Sequence, residues 1–441
     1  MLRAAQALVI RPPVETTAVR HRQTDKLLAG LARLGIHTTI AKAGDVASMA
    51  DVGFLPDMLM LDVSDPETVR SCQAIAQKLR LSPLARRLTL AILGDNGTFG
   101  AFDADLHLNH LLSPAAIARK IKQHLRISAI HTEYMRRLDT AQSLGVAIEA
   151  LPPDAMEKPT KRLLVLGRGE RYFALFQLFK GGAVLKAAKS FTEACDLLRD
   201  DAFDCLIVDS KTFSDFTLDD VTTLKQNPRH FHLPVLILAD EMDEERRRAF
   251  EDSLVCDVFD FDENAEDVAA YATSLIAADH VRKELLKAFT SPQFDPLRVE
   301  ATGLSTDAFF SAHLDRLLKT AEANRQTVII GIIDVAPTMR DEDMADDTSF
   351  RTIMDQAGRL IASLIRAEDL ATHLAPDRFL IVSSNSTGLA MSSLMGRIDA
   401  ILRMTQFSLK AQSVTVDVDT HYFEARDGDT VYAVFERISD G

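Results

Sequence analysis

The sequence predicts a chain of the multidomain α/β class: two doubly wound parallel sheets in succession, then an α+β domain. Three observations predict this. Short continuous apolar runs alternate with helical stretches through the first part of the chain, the pattern of parallel strands covered on both faces. That pattern occurs twice, with shared local phrasing. From about residue 264 it gives way to long helices and strands whose order fits helices on an antiparallel sheet. A length of 441 residues exceeds what one ordinary core organises and suits three domains, read here as 1–150, 158–285 and 290–441.

In the first domain ALVI (7–10) reads as a buried strand, followed by an amphipathic helix around 22–34 and the strand HTTIAK. MLMLDVSD and LTLAILG supply two more apolar runs. The stretch ALPPDAMEKPT (150–160) is polar and proline-rich, and reads as a linker. RLLVLG, AVLKAAK, CLIVDS and PVLILAD then repeat the scheme with helices between them. PDMLMLD ends at Asp62 and FDCLIVD at Asp209, each with an aspartate five residues earlier, Asp57 and Asp204. Pro83 precedes Asp95 by twelve residues, and Pro228 precedes Asp240 by twelve. The two segments are an internal duplication.

The third domain opens on a helix over roughly 264–290 and the phrase VEATGLSTDAFF (299–310). The strand TVIIGIIDV, a helix around 348–365, LIRAEDLATHLAPDRFLIVSS (364–384) and a helix near 389–404 follow. Strands are expected near 412–418 and in the 420s.

Composition narrows function. Hydrophobic residues make up 47% and charged residues 26%, ordinary for a globular protein. A net charge of −14 excludes a broad electrostatic grip on nucleic acid or an anionic membrane, while leaving room for a local basic pocket. No apolar run approaches the length of a membrane span or a signal peptide, so no membrane insertion is expected. Cys72, Cys195, Cys205 and Cys256 show no CxxC spacing, and read as buried thiols of a reducing cytoplasm.

The duplicated segments resemble the flavodoxin-like receiver domain of two-component signalling. The resemblance makes Asp62 and Asp209 the phosphoacceptor positions, at the end of the sheet where such folds place their chemistry. Receiver phosphorylation also needs Mg²⁺ held by an acidic pair, a Ser or Thr after the fourth strand and a Lys after the fifth. Here those places hold Arg11 and Pro12, Gly94, and Asn109 with His110 in the first domain. In the second they hold Gly167 and Arg168, Ala239 and Phe261. A hard cation wants several oxygen ligands, so both domains read as pseudo-receivers with Asp62 and Asp209 unused.

TGL at 302–304, the aspartate-bearing strand near Asp334, and RxxD just before a hairpin resemble the GGDEF domain of diguanylate cyclases, a nucleotidyl-cyclase-like α+β fold. The whole order resembles the PleD-type receiver–receiver–GGDEF proteins, and more closely their non-catalytic paralogues. In active members two hairpin glycines let GTP approach the backbone, and the acidic third residue ligates the catalytic metal. This chain has Ala375, Pro376, Asp377, Arg378 and Phe379 there. Pro376 fixes φ and removes an N–H. The resemblance places the other metal aspartate at Ile332 and the guanine-reading Asn and Asp at Arg340 and Arg351. The hairpin therefore reads as a degenerate active site, with no catalytic residue, no metal and no cofactor.

The family's inhibitory site, by contrast, is matched by Arg366 and Asp369 of RAED and by Arg397 on the next helix. A guanidinium is planar, always charged and offers parallel N–H donors, so it can clamp a phosphate or the O6/N7 edge of guanine. A carboxylate can accept from guanine N1–H and N2–H. The resemblance thus implies cyclic di-GMP as ligand at Arg366, Asp369 and Arg397. A bare Arg–Asp pair at i, i+3 is otherwise a surface salt bridge worth ~0–1 kcal/mol; its place before APDRF is what favours the ligand.

Other features carry less. His107/His110 and His230/His232 lack carboxylate or cysteine partners and read as solvated or strand-edge histidines. RDEDMADD (340–347) lacks the glycine and terminal Glu of an EF-hand loop. RKELLKAF (282–289) reads as a connecting helix with a solvated charged face. By resemblance the chain is a catalytically inactive cyclic di-GMP effector and a homodimer through its receivers. The resemblance also implies recruitment of proteolytic adaptors and the ClpXP protease at a cell pole. The alternative is a nucleotide-independent scaffold, and a more distant one an enzyme with residual cyclase activity.

Overall fold

A computed structural model describes residues 5–11, 18–42, 56–63, 73–74, 89–94, 104–109, 114–157, 160–239, 242–252, 256–260, 265–324, 326–338, 347–384, 386–409 and 412–439. The first sheet is built from β1 (Ala5–Arg11), β2 (Ile36–Lys42), β3 (Met58–Val63), β4 (Thr89–Gly94) and β5 (Leu106–Asn109), with α1 (Ala18–Arg33) and α2 (Pro114–Ser143). All its strands are parallel, in the order β2-β1-β3-β4-β5. Strands β3 and β4 are buried along their whole length, which is why they read as unbroken apolar runs.

The second sheet repeats the plan. It contains β6 (Lys161–Leu166), α3 (Glu170–Leu178), β7 (Ala183–Ala188), α4 (Phe191–Asp200) and β8 (Cys205–Asp209). It continues with α5 (Leu218–Gln226), β9 (Val235–Ala239), α6 (Glu244–Asp252), β10 (Asp257–Asp260) and α7 (Ala265–Phe289). Its order, β10-β9-β8-β6-β7, is the same parallel topology read from the opposite edge.

The early aspartate of each repeat has a structural duty. Asp57 Oδ2 accepts from the Gln6 N–H at 2.8 Å, while the Asp57 N–H donates to the Gln6 carbonyl at 2.8 Å. Asp204 does the same with Arg162, at 2.7 and 2.8 Å. Each aspartate closes the start of the first strand against that of the third, where the ladder would leave an N–H unpaired. Asp105 uses the device on Leu90, at 2.7 and 2.9 Å, joining the fourth and fifth strands of the first sheet.

The third segment contains α8 (Asp307–Asn324), β11 (Val328–Pro337), α9 (Asp347–Leu364), β12 (Leu370–Ala375) and β13 (Arg378–Ser384). After α10 (Gly388–Met404) come β14 (Phe407–Leu409), β15 (Gln412–Val414), β16 (Val416–Glu424) and α11 (Val431–Ser439). Strands β12-β13-β11-β16 form an antiparallel sheet, and β14 and β15 a separate hairpin. The two strands expected near 412–418 and in the 420s are instead a short hairpin arm and one continuous strand. The alternation of buried Val416 and Val418 with exposed Asp417 and Asp419 carries β16 through the expected break.

Two compact units emerge. One takes in Ala4–Ser128 and Pro152–Glu284; the other takes in Ala129–Leu151 and Leu285–Gly441. The second half of α2 therefore packs with the antiparallel domain. There Glu133 is buried among cations: Arg136 Nη1 donates to its Oε2 and Arg137 Nε to its Oε1, both at 2.8 Å. His313 Nε2 of α8 lies 2.8 Å from the same Oε1. Burial alone would push the carboxyl up, but His313, Arg137 and Arg136 outweigh it and hold it at about 2. The described cysteines form no disulfide, and Cys72 lies outside the described residues.

Two outcomes follow from this construction. Asp204→Ala strands the Arg162 N–H at the sheet edge, and should cost about 1–2 kcal/mol in urea unfolding. Glu133 has its folded value below its ordinary 4.5, so its stabilisation is full above that pH and lost as pH falls toward 2. Glu133→Gln should therefore reduce amide-exchange protection over 130–141 strongly at pH 7, with the gap to wild type closing below pH ~4.

Candidate functional site

Strand β12 has a different feature at each end. Before it, Arg366 to Asp369 form a tight turn at the end of α9. The Asp369 N–H donates to the Arg366 carbonyl at 3.1 Å, and the Arg366 N–H donates weakly to Asp369 Oδ2 at 3.3 Å. The Arg366 side chain is exposed, whereas Asp369 is only 4% exposed, and its Oδ1 has no hydrogen-bond partner. Burial pushes the Asp369 carboxyl up, against the lowering effect of the Ser383 hydroxyl and of Arg366.

Arg397 reaches the same turn from α10. This helix buries Met391, Leu394, Met395, Ile398 and Leu402 on one face, starts on the Thr387 cap and leaves Arg397 exposed. It lies close to the sheet because Gly331 of β11 has no side chain: a Cβ there would sit 2.9 Å from Met395 Cε. Arg397 Nη2 donates to the Leu364 carbonyl at 2.7 Å, at the negative end of α9. Two exposed guanidiniums thus flank one turn. The Asp369 carboxylate, expected to face a guanine, points into the turn instead. The Asp369 carbonyl accepts from Arg137 Nη2 of α2 at 2.9 Å.

The hairpin expected to be a degenerate active site lies at the other end of β12. Ala375 pairs with Arg378 around the exposed Pro376 and Asp377. The β11/β13 register sets Arg378 directly across from Asp334, and its guanidinium grips both Asp334 oxygens, Nε to Oδ1 at 2.6 Å and Nη2 to Oδ2 at 3.0 Å. Its Nη1 donates to the Ile438 carbonyl of α11 at 2.8 Å. Phe379 is fully buried and stacks on His373. Ile332 is buried in β11, two residues before Asp334. Of the two positions that the resemblance gives to metal ligands, Ile332 offers no donor atom and Asp377 is a lone exposed carboxylate, so a divalent cation does not fit here. Among the described residues, no cluster of three His, Cys, Asp or Glu is arranged to hold a metal ion. Arg351 is exposed on α9, and Arg340 lies outside the described residues.

The two aspartates expected at phosphoacceptor positions, Asp62 and Asp209, lie at the C-terminal ends of β3 and β8. Asp209 is 1% exposed and fully engaged: Arg171 Nη1 donates at 3.0 Å, the Lys211 N–H at 3.1 Å and Thr212 Oγ1 at 2.8 Å. Arg171 comes from the first turn of α3 and is itself buried. Gly167 has its own reason to be glycine, since a Cβ there would lie 2.9 Å from Asp209 Cβ. Asp62 is also buried. Pro12, Asp95, His110, Asp240 and Phe261, with the Arg11 and Asn109 side chains, lie outside the described residues.

Sequence reasoning missed Arg137 and Arg171. The signal for Arg137 was Glu133 with arginines three and four residues on, a spacing that also suits a solvated helix face. The signal for Arg171 was a basic residue one turn into the helix after β6.

No protein-family model matches the chain. No curated protein matches it. Among solved structures, it is similar to the GGDEF domain of DgcB from Caulobacter crescentus in complex with c-di-GMP, at 18% identity over 33% of this chain and 86% of that one, with a TM-score of 0.28. It is similar to the GGDEF domain of FimX from Pseudomonas aeruginosa, at 14% identity over 33% and 90%, with a TM-score of 0.30. A third is the diguanylate cyclase SiaD in complex with its activator SiaC from Pseudomonas aeruginosa, at 17% identity over 36% and 60%, with a TM-score of 0.30. Each of these likenesses takes in about a third of the chain.

Proposed function

We propose that this chain is a cyclic di-GMP effector of the receiver–receiver–GGDEF type that binds the dinucleotide at Arg366, Asp369 and Arg397 and does not make it. The observation that carries the reading is the pair of exposed guanidiniums flanking the turn at the end of α9. The ligand offers two phosphates and two guanines, and each guanidinium can address either with paired, charge-assisted hydrogen bonds. Asp369 fixes the turn from which Arg366 projects. Its unpaired Oδ1 is the acceptor that a guanine N1–H or N2–H would meet once the turn opens.

The lack of synthesis rests on the hairpin. Pro376 stands where a glycine must admit the nucleotide, Ile332 stands where a metal aspartate is needed, and Arg378 holds Asp334. In the second parallel domain, Arg171 supplies a resident positive charge to Asp209, the place of Mg²⁺ in an active receiver. Both parallel domains then serve as pseudo-receivers that hold a homodimer together. The output, by resemblance, is recruitment of proteolytic adaptors and the ClpXP protease. Among the described residues no helix is long and apolar enough to cross a membrane.

Titration calorimetry of cyclic di-GMP against the full chain should show binding, and Arg366→Ala should weaken it by about tenfold to a hundredfold. Asp377→Ala should leave affinity within about twofold, because the former active site lies at the far end of β12. No heat with the wild-type chain would favour the scaffold instead. Prolonged incubation of concentrated protein with GTP and Mg²⁺ or Mn²⁺ should yield no cyclic di-GMP above a protein-free control.

A further inference from the structure

The binding reading leaves Arg137 unused, yet Arg137 holds the backbone of the binding turn. Its side chain is 7% exposed. One edge of the guanidinium, Nε, donates to Glu133 Oε1 at 2.8 Å; Nη2 donates to the Asp369 carbonyl at 2.9 Å. The group also lies 4.6 Å from the centroid of the Phe289 ring. A planar fork satisfies two fixed acceptors at once only if both keep their places. Glu133 keeps its place because Arg136 and His313 hold it as well, and Thr140 Oγ1 lies 3.1 Å from His313 Nδ1. The helix side of the fork is therefore anchored.

The other side is the part of the turn that a ligand would disturb. Asp369 is bound to Arg366 through its own N–H, and its Oδ2 accepts from the Arg366 N–H. Any shift of Arg366 that closes on a phosphate moves the peptide carrying the Asp369 carbonyl. Arg137 is the described polar contact that carries this shift to α2, a helix of 30 residues. We propose that Arg137 is a positioning residue for the Arg366–Asp369 turn, so that dinucleotide binding at the turn stiffens the C-terminal half of α2. The proposal rests on the cyclic di-GMP reading above.

Arg137→Lys is the informative variant. A lysine keeps a positive charge opposite the buried Glu133 but cannot span both acceptors with a rigid fork. In the full chain, saturating cyclic di-GMP should slow amide exchange across 129–143 in wild type. In Arg137→Lys that ligand-induced protection should be lost and the affinity should fall by about fivefold or more, a typical coupling magnitude. Arg137→Ala should reproduce the loss where it folds, and its thermal unfolding reports whether it does. A merely structural Arg137 would lower thermal stability while leaving ligand-induced protection of α2 intact, and that result overturns the proposal. Absence of calorimetric binding by the wild-type chain overturns the binding reading and this proposal together. Wild-type binding with an unchanged response in Arg137→Lys overturns this proposal alone.

Discussion

A carboxylate withdrawn from water is costly unless an opposite charge meets it at close range. In this chain the charge is repeatedly an arginine. Glu133 lies between Arg136 and Arg137, Asp209 meets Arg171, and Asp334 is held by Arg378. The first two pairs are almost wholly buried, so they owe their strength to the absence of competing water. Arg171 fixes the start of α3 to the end of β8, and Arg378 the hairpin to the central strand. Glu133, held by its two arginines within α2, meets α8 through His313.

One of these pairs, Asp209 with Arg171, stands where the receiver resemblance would put a divalent cation. A metal ion can be exchanged and can bring a phosphoryl group with it; a guanidinium on its own backbone cannot. The bidentate grip of Arg378 engages both Asp334 oxygens, one N–H to each. The electrostatic need of each carboxylate is met by a residue of the chain itself. An arginine in this place keeps the fold stable, because the buried acid is never left unpaired.

Much of the architecture was legible in the sequence. The apolar runs of β3, β4, β8 and β9 announced buried parallel strands, and the repeated Asp57/Asp62 and Asp204/Asp209 spacings announced the duplication. RAED and APDRF placed the turn and the hairpin at the ends of one strand. The sequence did not show that the second half of α2 packs with the C-terminal domain. Its charged residues scan as a solvated face, and their burial depends on His313 and Asp369, the latter 232 positions away. Nor did it show that the Asp369 carboxylate turns inward. That orientation follows from the short turn between α9 and β12, where the nearest unpaired donor is the Arg366 N–H. Arg171 escaped notice because the family's cation ligands directly follow the first strand, while the charge that reaches Asp209 starts from the helix beyond it.

Strand β12 keeps the Arg366–Asp369 turn and the Pro376–Asp377 hairpin apart. Six residues at ~3.3 Å each separate the turn from the hairpin by about 20 Å. That is more than twice the Debye length of ~8 Å at physiological salt, so exposed charges at one end scarcely register at the other. The charges of Asp377 and Arg378 at the hairpin therefore leave the field around Arg366 and Arg397 unaltered. Mechanical influence is a different matter, since β12 is hydrogen-bonded to β13 along its length and moves as part of the sheet. The turn is held by its own hydrogen bonds and by Arg137, both at the near end. Among the described residues, Arg137 is the buried fork that joins this turn to α2, whereas the hairpin shares only the sheet with it.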